Sequence, residues 1–247
     1  MPKLTAVILA RNEERYISGC IESLMPLTDD IIVIDSGSRD ATPRIARELG
    51  ARVIERGWPG FPAQRNFALD LAAGSPWVLF LDADERLTPR LREEIAAALD
   101  DADEEAAGYL IPRRNVIAGR VMRGGGWWPD YQARLLRPDR CRYDESVTVH
   151  EVPDCAGRLF ALTTPMVHLN FPNWRTFVAR QFAYERAARL PAKRPRRRAY
   201  LGAPLREFWR RFVRERGYRD GLAGAFACAV LAKARLYGVW RARRGLR

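Results

Sequence analysis

The sequence predicts an α/β protein: a mostly parallel sheet with helices on both faces, followed by a basic helical extension. Three observations carry this expectation. Short apolar runs alternate with segments of helical periodicity over the first hundred residues, as in successive strand–helix units. Most runs read as continuous Val, Ile and Leu, as strands covered on both faces do. Charge then divides the chain: residues 171–247 hold 21 Lys+Arg against 4 Asp+Glu, whereas residues 1–170 hold 21 against 26.

The elements follow in order. LTAVILA (4–10) is a first strand, and Ile17, Ile21 and Leu24 then recur at helical spacing. IIVIDSGS (31–38) is a second strand running into a turn. PRIARELG (43–50) is a helix with Pro43 in its first turn and Gly50 as its C-cap. ARVIER (51–56) is a third strand, AQRNFALDLAAG (63–74) a helix, and WVLFLDAD (77–84) a fourth strand. A helix over 87–101 follows, capped by Thr88, with Glu93 and Glu94 in its early turns. From 108 to 170 short strand-like pieces are separated by GGGWWPD, PDRCRYDE and PDCAG, a smaller and more irregular half. The boundaries expected are therefore 1–107, 108–170 and a helical tail over 171–247.

Composition narrows the class. At 47% hydrophobic residues the chain can bury a real core. Four scattered cysteines (20, 141, 155, 228) without CxxC, and two histidines, exclude a zinc ribbon and argue against disulfides, favouring a reducing cytoplasmic setting. The first apolar run is too short for a signal peptide. GLAGAFACAVLA (221–232) reaches 12 residues before Lys233, short of the roughly 20 that a bilayer span needs.

Polar clusters close three of the strands: Arg11-Asn12-Glu13, Asp35-Ser36-Gly37-Ser38 and Asp82-Ala83-Asp84. Ligands of open α/β sheets bind beyond such carboxyl ends. If Asp82 and Asp84 stay extended they point the same way. Two like charges so close repel unless a cation or many donors lie between them, so this is either a costly strand end or a metal site.

In this order AVILARNEE, IIVIDSGSRDAT, QRN and FLDADERL resemble family 2 inverting glycosyltransferases of the GT-A fold. GWWPDYQARLLRPD, TVHEV and the basic tail resemble the bacterial branch related to lipopolysaccharide-core β-glucosyltransferases. The resemblance implies a nucleotide-diphosphate sugar donor, UDP-sugars being commonest, and a divalent cation, Mg²⁺ or Mn²⁺. It makes Asp84 the metal ligand, with Asp82 toward the ribose or metal-bound water. Asp35 would accept from base or ribose, Ala10, Arg11 and Asn12 would wall the nucleobase pocket, and Glu13 would sit near the ribose. Arg65 in QRN would meet the diphosphate, since a guanidinium matches phosphate through paired hydrogen bonds. Such a cation neutralises the charge that develops on the departing diphosphate.

Inversion needs a base for the acceptor hydroxyl. The Glu-Asp pair common downstream in the family is missing, which leaves Glu151 in TVHEV and Asp130 in WWPDYQ as rivals. His150 could touch acceptor or phosphate, and His168 could be a further metal ligand. Trp127 and Trp128 read as acceptor-stacking rings too loop-like for core, or as part of a lid hinged at Gly124–Gly126. In PLREFWRRFVRERG, Leu205, Phe208, Trp209, Phe212 and Val213 share one helix face and Arg206, Arg210, Arg211 and Arg214 the other. With KRPRRR (193–198) this suits an anionic membrane surface at the inner face of the cell membrane, where the lipid-linked or envelope glycan acceptor that the resemblance implies would make attachment useful. A nucleic-acid-binding protein acting through the tail is the alternative, disfavoured because strand-end carboxylates would repel a phosphate backbone. Arg86 at the fifth position of the motif that begins at Asp82 argues against a D-x-D phosphotransferase, and ARNEE lacks the glycines of a nucleotidyltransferase loop.

Overall fold

A computed structural model of the chain describes residues 4–147, 152–188 and 197–244. It divides into two compact units, Met1–Arg113 with Tyr131–His168, and Arg114–Asp130 with Leu169–Arg247. The second takes in residues 114–130 as well as the tail.

The first unit opens as expected, with β1 (Thr5–Ala10), α1 (Ile17–Leu24), β2 (Ile31–Asp35), α2 (Thr42–Glu48), β3 (Arg52–Glu55), α3 (Phe61–Leu71) and β4 (Val78–Asp82). β5 (Glu85–Arg86) and α4 (Pro89–Asp100) follow, and the Thr88 hydroxyl accepts from the Leu91 N–H at 3.2 Å to cap α4. β1 pairs in parallel with β2 and β4, and β2 with β3. Alternate residues of these strands point to opposite faces, and both faces are covered. Ala6, Ile8, Val33, Leu79 and Leu81 pack with Ile17, Ile21, Leu91 and Ile95. Val7, Leu9, Ile32, Ile34, Val78 and Phe80 pack with Ala68 and Leu69. This explains the continuous apolar runs, because neither side of the sheet meets water.

Beyond α4 the pairing turns largely antiparallel. The remaining strands are β6 (Ala106–Ile117), β7 (Arg120–Val121), β8 (Tyr131–Leu136), β9 (Cys141–Arg142), β10 (Asp154–Cys155), β11 (Arg158–Ala161) and β12 (Met166–Phe171). The main sheet runs β3-β2-β1-β4-β8-β6-β12-β5. At twelve residues β6 is longer than the short pieces expected; it and β12 each begin in the first unit and end in the second. Pairing of β9 with β10 sets Cys141 opposite Cys155, and the two form a disulfide. That overturns the expectation of free thiols, since scattered positions in sequence say nothing about two strands that later meet, and it removes the cysteine argument for a reducing setting.

The second unit holds α5 (Trp174–Ala187), α6 (Arg197–Trp209) and α7 (Gly221–Arg244), with a π-helical turn over Arg210–Arg214 and a 3₁₀ turn over Gly217–Asp220. Its core gathers Ile117, Met122, Phe171, Phe177, Ala227 and Val230. Helix Gly217–Arg244 is long and apolar enough to cross a membrane by length and composition, with a third of its apolar window buried. The apolar stretch was expected to be too short for a span, but the helix runs on past Lys233: Lys233 and Arg235 are exposed while Ala232 and Ala234 are buried. Not all of the tail's positive charge faces solvent. Arg211 pairs with Glu207 at 2.5 Å, and Arg241 donates to the carbonyls of Glu185 and Arg186 at 2.6 and 2.7 Å, closing the end of α5.

Candidate active site

Strand register builds one polar edge in the first unit. Ala10 lies opposite Asp35, and Leu9 opposite Asp82, so three predicted clusters meet at the carboxyl ends of β1, β2 and β4. Asp35 is buried, and its Oδ2 accepts the N–H groups of Gly37 and Ser38 at 3.1 and 2.8 Å while Oδ1 accepts the Ser38 hydroxyl at 2.5 Å. The turn after β2 is thus fixed from within. It in turn holds the loop after β1. The Asn12 N–H donates to Ser38 Oγ at 2.8 Å, Asn12 Oδ1 accepts from the Arg39 N–H at 2.8 Å, and the Glu13 N–H donates to Thr42 Oγ1 at 2.7 Å. Asn12 adopts φ +56°, a left-handed conformation that asparagine tolerates better than most residues. Arg11 is exposed beside it. Arg65 is buried on α3, its guanidinium 5.7 Å from the Phe61 ring centroid and 5.3 Å from that of Tyr143.

The acidic strand end departs from expectation in one respect. β4 stops at Asp82, a turn occupies residues 83–84, and β5 resumes at Glu85. Asp82 and Asp84 are therefore not two successive outward positions of one strand, and each has its own partner. Arg134 Nη2 donates to Asp82 Oδ2 at 2.5 Å and to Glu85 Oε1 at 2.6 Å, while Glu85 Oε2 accepts the Asp82 N–H at 3.0 Å. Arg113 Nη1 lies 3.5 Å from Glu85 Oε1. Arg134 is 2% exposed and the Glu85 side chain 0%, so this is a buried ionic cluster. Burial pushes the Asp82 carboxyl up, but Arg134 outweighs it, with Arg65 and His168 pulling the same way, and the group sits at about 2. Burial likewise opposes the charge on Arg134, and Asp82 and Glu85 reverse this, raising it.

Asp84 meets a different residue. β12 runs antiparallel to β5 with His168 opposite Glu85, which brings His168 Nε2 to 3.4 Å from Asp84 Oδ2. Among the described residues no group of three His, Cys, Asp or Glu side chains is placed to hold a metal. Arg134, Glu85 and Arg113 escaped sequence reasoning. The signal for Arg134 was a lone charge beside the apolar pair Leu135-Leu136, and for Glu85 its position directly after the acidic motif.

The remaining predicted residues lie in the second unit or outside the described chain. His150 and Glu151 fall in 148–151, outside the described residues. Asp130 Oδ2 accepts from Asn115 Nδ2 at 3.0 Å, and that fully buried amide also donates to the Trp127 carbonyl at 3.0 Å. Trp127 lies in a loop yet packs on the unit's core, its ring edge-on against Phe171 and Phe177 at centroid distances of 6.3 and 6.0 Å. Trp128 is exposed. Gly124–Gly126 are packed instead of hinge-like, for the Gly125 N–H donates to the Glu215 carbonyl at 2.7 Å and a Cβ on Gly124 would lie 2.1 Å from the Arg216 carbonyl oxygen.

Residues 5–163 match the family described as Glycosyl transferase family 2. The chain is 36% identical over 167 residues to the lipopolysaccharide core biosynthesis glycosyltransferase LpsC of Rhizobium meliloti (strain 1021), covering 61% of this chain and 57% of that one. It is 33% identical over 189 residues to a TPR repeat-containing protein of Synechococcus elongatus, covering 75% of this chain and 43% of that one. It thus spans little more than half, at most, of these relatives. The structure of S. aureus TarS 1-349 aligns over 98% of this chain and 92% of its own, with TM-score 0.50 and 16% identity, a likeness of fold. The architecture is the GT-A arrangement that the sequence resembles.

Proposed function

Since the chain belongs to glycosyl transferase family 2, we propose that it is an inverting glycosyltransferase moving a sugar from a nucleotide diphosphate, a UDP-sugar, to a lipid-linked or envelope glycan. The observation that carries this reading is the polar edge, where Ala10 lies opposite Asp35 and its neighbour Leu9 opposite Asp82. Ala10, Arg11, Asn12 and Glu13 wall the nucleoside, Asp35 keeps its turn shaped for base or ribose, and Arg65 takes a phosphate oxygen. Asp82 is held charged by Arg134, and so accepts a hydroxyl hydrogen bond without an added cation. Asp84 and His168 fit a divalent metal, Mg²⁺ or Mn²⁺. Their carboxylate oxygen and imidazole nitrogen are ligand types for such ions and already face each other. Two protein donors leave positions for phosphate oxygens, and the ion would neutralise the departing diphosphate.

Two carboxylates compete for the acceptor proton. Support for Asp130 is its orientation by buried Asn115, whose amide donates to Oδ2. Support for Glu151 is its place in TVHEV, where the family resemblance puts an acid. A transfer assay on Asp130→Asn and Glu151→Gln separates them. The base variant loses about 10²–10⁴-fold in turnover with donor affinity unchanged. If both variants keep wild-type turnover, neither is the base. The second unit supports attachment to the inner membrane surface. Leu205, Trp209, Val213, Leu222 and Phe226 are exposed there, amid the chain's excess of arginine. A membrane-borne acceptor would explain why apolar side chains stay uncovered.

A further inference from the structure

We infer that the acceptor is an anionic saccharide, bound in the second unit by a cleft of about 660 Å³ lined by Arg114, Val121, Met122, Arg123, Trp128 and Arg219. The inference rests on the glycosyltransferase reading and names the chemistry of its acceptor. The cleft is large enough for a sugar with a charged substituent. Three arginines line it and no Asp or Glu does. Among the described residues no ion pair engages these three arginines, unlike Arg210 and Arg211, which pair with Glu207 and Glu215. The acid nearest in sequence, Asp220, is turned onto backbone. It accepts the Arg123 N–H at 2.8 and 3.0 Å and the Gly124 N–H at 3.0 Å. These bonds fix the segment that carries Arg123.

The rest of the lining is apolar and selects a ring. Trp128 is 36% exposed, with Val121 and buried Met122 among the other lining residues. A pyranose has one face of C–H groups that lies on an indole, while its phosphate or carboxylate turns to guanidiniums that match it in shape and charge. Bare membrane phosphate would need the arginines but not a concave aromatic seat. The cleft also lies close in sequence to Asp130, two residues after Trp128, so a sugar held here belongs to the segment that carries a candidate base.

The test is calorimetric titration of the full chain with glucose 6-phosphate, glucuronate, glucose and inorganic phosphate, alongside sedimentation with phosphatidylglycerol vesicles and titration of UDP-glucose with Mn²⁺. Both anionic sugars bind at least about tenfold more tightly than glucose, and glucose 6-phosphate more tightly than inorganic phosphate. Arg123→Gln/Arg219→Gln removes the preference for charge, and Trp128→Ala weakens both sugars but not inorganic phosphate. Unchanged circular dichroism excludes unfolding at these exposed positions. Equal binding of glucose and glucose 6-phosphate overturns the inference. So does phosphate binding as tight as that of the phosphosugar, which marks a plain anion site. Loss of vesicle binding with sugar binding intact also overturns it, by assigning the arginines to lipid. If anionic sugars bind and UDP-glucose does not, the transferase reading fails and the cleft assignment stands.

Discussion

Arg134 holds the candidate donor site in shape. One guanidinium nitrogen serves Asp82 and Glu85, and both pairs are shielded from water on the arginine side. A buried pair adds little over an apolar substitute, but removing one partner strands the other charge. Arg134→Ala should therefore cost about 3–5 kcal/mol in urea unfolding. Arg134→Met with Glu85→Met should recover much of that loss. A single-variant cost below about 1 kcal/mol would contradict the burial and pairing described. The acidic motif itself was legible because carboxylates after an apolar strand need a reason. Its partners were not, because Arg134 reaches Asp82 across 52 positions of sequence. His168 was legible as a candidate ligand, but only antiparallel pairing of β12 with β5 brings it to Asp84.

Elements were read well wherever periodicity was strong. Strand and helix alternate as expected through α4, and Thr88 caps that helix as foreseen. Glu94 was expected to complement the helix dipole, yet it accepts the N–H groups of Thr163 and Thr164, both at 2.8 Å, and so anchors the loop leading to β12. The glycine-rich run misled because flexibility and close packing use the same residue. Gly124 has no room for a methyl group beside the Arg216 carbonyl, and Trp127 beside it joins the core through rings that arrive from β12 and α5. Gly124→Ala should lower stability by about 1–3 kcal/mol, as overpacking does. Gly74→Ala, where a Cβ meets nothing within 4 Å, should cost far less. Equal melting temperatures for the two variants would show that residues 124–126 are a mobile hinge after all.

For the whole molecule, the division of charge by sequence, net −5 over residues 1–170 and +17 over 171–247, gives the chain a basic C-terminal part. Exposed Leu205, Trp209 and Val213 lie within it. Replacing all three with serine should weaken binding to anionic vesicles by about tenfold or more, from lost apolar burial alone. Unchanged sedimentation would refute membrane attachment through this surface. The central claim is the nucleotide-sugar site at the polar edge of the first unit, and it is tested most directly by calorimetric titration of nucleoside diphosphates, with and without Mn²⁺, against wild type and Asp84→Ala. We expect UDP to bind in the presence of Mn²⁺ and to lose at least about tenfold in affinity in the variant, with circular dichroism unchanged. Absence of binding by every nucleoside diphosphate, or equal affinity in Asp84→Ala, would contradict the account.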